Sequence, residues 1–302
     1  MGHVGKTVTQ NIVSTSEITD GTITNDDLAT DIAITTTGDT SLKGNVTINE
    51  DSADKDFRVE SNDHANMLFV DGGNNKVGVG TASPDGALHI KGVSDHGRIV
   101  LESGGTSGSD NNMFMQFHNG GGTEIAQIAI EEGASNEGQL IFKTGGTTTA
   151  MTIDKDGHIT KPKQPAFLAH PASDSGDIAT GSYYTVTFGT EVFDVGADFA
   201  SNTFTAPVTG KYQLNAEVFL YQVDKDAQYY MLQIVTSNRT YQSIIEPDTG
   251  QDSVYWTMSI AQICDMDASD TAYVRVYQPD GAQQTNVIHD SNNTFFGGFL
   301  AC

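Results

Sequence analysis

Chemistry in this chain has to come from its carboxylates and from a few histidines and cysteines. Asp154-Lys155-Asp156-Gly157 opens like a calcium-binding loop, with oxygen-bearing side chains at alternate positions. At the loop's twelfth position, where a bidentate acid is required, stands Pro165, so the segment reads as a turn. The neighbours Glu131 and Glu132 supply the two carboxylates that glycoside hydrolysis needs. In a chain with 39 acidic and 15 basic residues they read instead as solvated surface. His64, His89, His96, His118 and His158 stand isolated, and Cys264 and Cys302, too few for a disulfide framework, read as free thiols. Gly5-Lys6-Thr7 matches the end of a phosphate-binding loop but lacks that loop's earlier glycine and its preceding strand. There is no Gly-x-Ser-x-Gly elbow, no His-Glu-x-x-His helix and no zinc-spaced Cys/His cluster. The expectation is a protein that is not an enzyme.

Residue types suited to recognition gather late in the chain. The candidates are Asp224, Lys225, Asp226 and Gln228, then Asn238, Arg239 and Tyr241, then Asp248, Gln251 and Asp252. All are expected in loops, where carboxylates, amides, a guanidinium and an aromatic face suit sugar hydroxyls and protein hot spots alike. Tyr229, Tyr230 and Trp256 are expected within strands, as packing or interface residues. Asp224 with Asp226, or Asp265, Asp267 and Asp270, are candidate oxygen ligands for calcium, although no motif marks them.

Strands must position these groups. Tyr212, Leu214, Ala216, Val218 and Leu220 alternate with Gln213, Asn215 and Glu217, the period-two pattern of a strand with one buried face. Pro207 and Gly210 punctuate the turn before it. Near the chain end Phe295 and Phe299 share a face, with Gly297 leaving room between them for a close neighbour. The order Phe204-x-Ala-Pro207-Val-x-Gly210-x-Tyr212, followed by Thr294-Phe295-Phe296-Gly297-Gly298-Phe299-Leu300, resembles the globular head of complement component 1q, a relative of the tumour necrosis factor jelly rolls. That resemblance spans residues 164–302. It implies a ten-stranded antiparallel jelly roll working as a homotrimer, with Phe204, Pro207, Gly210, Tyr212, Phe295, Gly298 and Phe299 as motif positions. Ala206 stands where many members carry cysteine.

Residues 40–163 are lighter material. Every tyrosine and the single tryptophan fall between Tyr183 and Tyr277. Residues 67–80 and 151–160 each read as strand, Asp/Gly/Asn turn and strand, the form of a β-hairpin. Three further short strands are expected at 114–117, 125–130 and 139–142, and one copy of such strands leaves an apolar face exposed. The wording of these hairpins is similar to the trimeric shafts of bacteriophage tail fibres, though the His-x-His metal sites of some shafts are missing. The whole is expected to be all-β: an elongated trimeric β-hairpin shaft (40–163) followed by a jelly-roll head.

Residues 1–39, with apolar knobs at Ile18, Ile23 and Leu28 and a possible helical turn at 26–32, are expected to dock on other virion structural proteins. The formal net charge of −24 divides evenly: 16 acidic and 4 basic residues after residue 163, and 23 and 11 before it. No basic region hides in the average, so nucleic-acid binding is excluded as an expectation. No apolar run reaches bilayer length, so membrane insertion is not expected, and the N-terminus lacks the pattern of a secretory signal. The functional expectation is a virion fibre, on a tail or head, whose trimeric head binds a host-surface glycan or protein. The alternative is a cellular or extracellular β-rich adhesin with the same head, and more remotely a polysaccharide depolymerase.

Overall fold

The computed structural model describes residues 39, 41, 44–48, 52–92, 99–102, 112–132 and 138–302. Apart from Asp39, the expected docking segment and its helical turn lie outside the described residues. The chain divides into two compact units, 1–100 and 101–302.

In the first unit β1 (Phe57–Val59), β2 (Leu68–Asp71), β3 (Lys76–Val79) and β4 (Leu88–Ile90) form one sheet in that order. The β2–β3 hairpin is closed by Asp71, whose Oδ1 accepts the Asn74 amide at 2.8 Å, while Asn75 takes the left-handed φ of 55° that asparagine tolerates. β4 lies parallel to β3, a pairing that a hairpin reading does not foresee.

The second unit opens with an antiparallel meander: β5 (Met113–His118), β6 (Glu124–Glu132), β7 (Gly138–Thr144), β8 (Thr148–Ile153) and β9 (Ile159–Thr160). Its strands fall where the sequence places them. Ala129 and Ile141 are buried, whereas Phe114, Met115, Phe117, Ile125 and Ile159 are exposed, so one copy of the meander leaves an apolar surface in water.

A two-sheet sandwich follows. Its strands are β10 (Ala166–His170), β11 (Ser182–Thr185), β12 (Thr190–Val195), β13 (Phe199–Ala200), β14 (Thr203–Thr205), β15 (Gly210–Val223), β16 (Tyr230–Thr236), β17 (Thr240–Ile245), β18 (Ser253–Met266), β19 (Thr271–Gln278), β20 (Asn286–Val287) and β21 (Phe295–Leu300). The first sheet runs β12-β10-β21-β15-β18 with β20 beside β15. The second runs β13-β14-β19-β16-β17 with β11 beside β19. This interleaving of early and late strands, antiparallel throughout, is that of a jelly roll.

The alternation read from 212–220 is realised: Tyr212, Leu214, Ala216, Val218 and Leu220 are buried. Gln222, at φ 55°, resets the phase, so that Val223 rather than Gln222 turns inward. Phe167 joins the sheets, its ring stacked on Phe199 at 5.0 Å and Phe204 at 4.6 Å and edge-on to Phe296 at 5.0 Å. Burying such a ring contributes on the order of 2–3 kcal/mol, and the ring pairs add about 1 kcal/mol each.

The Phe204–Tyr212 motif has a direct structural cause. Tyr212 donates from its hydroxyl to Val208 O at 2.7 Å, closing the turn that Pro207 starts. The sheet also demands glycine at 298, where a Cβ would lie 2.6 Å from both Gln213 O and Leu214 Cδ2. Phe295 and Phe299 do share a face, and it is the outer one, while Phe296 points into the core. Two placements differ from expectation. Tyr241 is not a loop residue: β17 resumes at Thr240, and Tyr241 is half-buried against the core. Tyr229 lies just ahead of β16 rather than inside it.

Candidate recognition site

The ten candidate residues separate to opposite ends of the sandwich. At one end, following β15, Asp224, Lys225, Asp226 and Gln228 meet Asp252 of the β17–β18 loop and the 280–284 loop. The Lys225 amide donates to Asp252 Oδ1 at 3.1 Å, and Gln284 Nε2 donates to Asp252 Oδ2 at 3.1 Å. The Gln228 amide donates to Asp280 Oδ1 at 2.7 Å. Asp248 and Gln251 are exposed on the same β17–β18 loop. At the other end Asn238 and Arg239 form the β16–β17 turn beside Asp265, Asp267 and Asp270. Some thirteen steps along β15 separate the ends, roughly 40 Å at a strand's rise.

Most of these side chains are occupied in holding turns. Asp224 is 3% exposed, and its carboxylate accepts the amides of Asp226 and Ala282. Its own amide donates to the hydroxyl of Tyr230, which lies 2.6 Å from Thr285 Oγ1. Burial pushes the Tyr230 phenol above its ordinary range. Lys225 is engaged by Asp226 at 2.6 Å, which raises its pKa. Gln284 and the Lys225 amide hold Asp252 below the usual carboxylate range. Arg239 grips Asp265 with two bonds of 3.2 Å, and this hydrogen bonding lowers the Asp265 pKa. Asn238 Nδ2 donates to Asp265 O at 3.0 Å and to Asp270 Oδ2 at 2.9 Å. The Asp270 carboxylate also takes the Asp267 amide at 2.8 Å. Of the expected calcium carboxylates, Asp224 and Asp270 therefore accept backbone amides of their turns, and Asp226 and Asp265 are engaged by Lys225 and Arg239.

Among the described residues, the set of three or more potential metal ligands that does converge is Asp154, Asp156 and His158, whose ligand atoms lie within 4.8 Å of one another. His158 is thus not isolated, as its Nδ1 is 3.0 Å from Asp154 Oδ2. The cluster can hold a metal ion. Two carboxylates and a ring nitrogen are nevertheless a thin donor set for calcium, which takes six to eight oxygens. Asp154 Oδ1 also accepts the amides of Asp156 and His158 at 2.9 Å, the hydrogen bonding that lowers its pKa and makes this a well-formed turn.

Cys264 and Cys302 are both free, the first buried and the second exposed. Burial drives the Cys264 thiol up to about 11. Cys302 lines an open cleft of about 610 Å³ with Lys161, Lys163, Asp198, Pro207 and Leu300. Among the described residues no helix is long and apolar enough to cross a membrane.

The loop reading overlooks the two outer faces. On the first sheet Phe193, Leu168, Phe295 and Phe299 surround a hollow of about 220 Å³ over Gly297. On the second sheet Arg275 stands over the Tyr183 ring, 3.7 Å from its centroid. The outward alternation of Tyr273, Arg275 and Tyr277 is the signal in the sequence that marks this second face.

No protein-family model matches this chain, and no curated protein is detectably similar to it. Among solved structures it is similar to murine APRIL at pH 8.5, at 14% identity and a TM-score of 0.35, over 46% of this chain and 99% of that one. It is also similar to the globular domain of zebrafish complement 1qA protein, at 18% identity and a TM-score of 0.33, over 46% of this chain and 98% of that one.

Proposed function

We propose that the chain is a non-enzymatic surface-recognition protein, in which a jelly-roll head (164–302) binds a glycan or protein on a cell surface. What carries this reading is the sandwich itself: a rigid, aromatic-pinned core that presents polar and aromatic groups on its loops and outer faces.

Copies of the chain associate through the outer face of the first sheet. Phe193 and Phe299 are about half exposed there, around a hollow that a side chain from a second copy fills, and Ile263 is 57% exposed on the same face. A homotrimer is the assembly proposed, with the exposed apolar side chains of the meander covered in the same way.

The setting that the head supports best is that of an extracellular β-rich adhesin, which requires only the head and its assembly. A bacteriophage fibre is the finer reading. It is supported by the hairpins β2–β3 and β8–β9, which lie in the stretches whose wording resembles fibre shafts. In that reading 40–163 is the shaft and 1–39 docks on other virion proteins. Antibody detection separates the settings: label on purified virions establishes the fibre, label on cell surfaces the adhesin, and label on neither removes the surface-recognition reading.

A further inference from the structure

Four outward side chains of the second sheet fall in one register row: Thr185 on β11, Arg275 on β19, Gln233 on β16 and Gln242 on β17. Arg275 Nε donates to Gln233 Oε1 at 2.6 Å, and Gln233 Nε2 donates to Gln242 Oε1 at 3.1 Å. The neighbouring row carries aromatic rings. Tyr183 lies 4.7 Å from Tyr277, which lies 6.1 Å from Tyr229. The guanidinium is thus fixed in its plane by the Tyr183 ring and by one hydrogen bond, a geometry that arginine supports and lysine does not. Its terminal amino groups have no hydrogen-bond or ion-pair partner among the described residues.

Charge makes this arrangement unusual for the chain. After residue 163 there are 16 acidic residues, yet β11, β14, β16, β17 and β19 contain no Asp or Glu. Lys225 and Arg239 are paired with Asp226 and Asp265, whereas Arg275 has no carboxylate within ion-pair reach among the described residues. Its planar fork is free to take a carboxylate from a ligand in two parallel bonds.

We propose that this row binds an acidic saccharide, a sugar bearing a carboxylate. The carboxylate sits on the terminal N–H groups of Arg275, which the Tyr183 ring holds in place, the apolar side of the sugar lies against the outer edges of the Tyr183 and Tyr277 rings, and the hydroxyls bond to the exposed amide of Gln242 and to Thr185. The assignment rests on the surface-recognition reading and names its ligand class. An acidic peptide fits less well. Peptides add along open sheet edges or fill apolar grooves, whereas this row runs across the strands from β11 to β17.

The test titrates the full chain with a glucuronate-containing tetrasaccharide and with the same compound after its carboxyls have been reduced to alcohols. The acidic form should bind at least tenfold more tightly. Arg275→Gln should remove that preference without moving the melting temperature. Tyr183→Ala, on an exposed edge residue, should weaken the acidic form at least fivefold, which keeps the test decisive if Arg275→Gln fails to fold. Equal binding of the two forms, binding of neither, a preference that survives Arg275→Gln, or an affinity for the acidic form that Tyr183→Ala leaves unchanged overturns the proposal. So does tetraglutamate binding as tightly as the acidic sugar. Surface label without discrimination between the sugars overturns this site alone, and absence of surface label overturns the reading beneath it.

Discussion

The two outer faces of the sandwich are built from the same alternation and reach opposite surface chemistry. In the first sheet, Val195, Ala166, Phe299, Gln213 and Ile263 share a row, and the next holds Phe193, Leu168, Gly297, Asn215 and Ala261. This face is largely hydrocarbon. In the second sheet the equivalent middle row reads Thr185, Arg275, Gln233 and Gln242. The acids follow the opposite rule: Glu191, Asp194, Glu217 and Asp265 all sit on strands of the first sheet, none on β11, β14, β16, β17 or β19 of the second. Leaving the apolar rows in water costs about 25 cal/mol per Å², which favours covering them with another copy. The polar row is stable in water and has a donor to spare. Within one domain, then, the pattern separates the apolar face proposed for self-association from the polar face proposed for a foreign ligand.

The widest test of that contrast strikes the core that both faces share. Phe167→Ala removes the ring that bridges β10 to β13 and β14, and should cost about 3–5 kcal/mol in denaturant unfolding. Loss of less than about 1 kcal/mol would mean that the sheets are held together elsewhere. A narrower change, Phe299→Glu with Ile263→Glu, puts charge on the first face alone. Light scattering should then report a lower mean mass than that of the parent chain at equal concentration, while the fold, seen by circular dichroism, persists. An unchanged mass would remove the face from the assembly.

Cys264 probes the inner side of the same strand. Its raised pKa keeps the thiol protonated, so its contribution to stability is complete below the ordinary value of 9.0 and is lost as pH rises through about 11. At pH 8 a thiol reagent should modify one cysteine per native chain, Cys302, and two after denaturation. Two rapid modifications in the native protein would contradict the burial of Cys264. The smallest effect concerns the turns at the two ends. Asp252 and Asp265 have lowered pKa values, so their contribution is present above the ordinary 3.8 and disappears only as pH falls through their lower folded values. Asp252 is exposed and Asp265 partly so, so the change should be slight: the protection factor of the Lys225 amide should hold at pH 4 and fall below it.

Sequence reading recovers what depends on near neighbours. The alternation from Tyr212 to Leu220, the punctuation by Pro207 and Gly210, and the Asp154 turn are all written within a few residues. It misses what depends on register. Thr185, Arg275, Gln233 and Gln242 come from four strands spread over the head, and only the pairing of those strands aligns them. The loop candidates carry a second role that a linear chain does not show. Residues such as Asp224 and Arg239 have the chemistry of ligand-binding groups, and the turns also use them: Asp224 caps backbone amides and Arg239 is tied to Asp265. Tyr241 shows the same limit, since the turn at 237–239 is so short that the strand has already resumed at Thr240.

The position of β21 has a kinetic consequence. It lies between β10 and β15, pairing Phe299 with Ala166 on one side and with Gln213 on the other. The centre of the first sheet therefore cannot close until segments more than a hundred residues apart have met, and the entropy of that large loop is lost before any of its hydrogen bonds form. Folding of this domain should be slow, in the millisecond-to-second range of non-local β topologies. During that interval the inward side of β15 and the outward phenylalanines of β21 are open to water together, and newly made chains are then most prone to join the wrong neighbours.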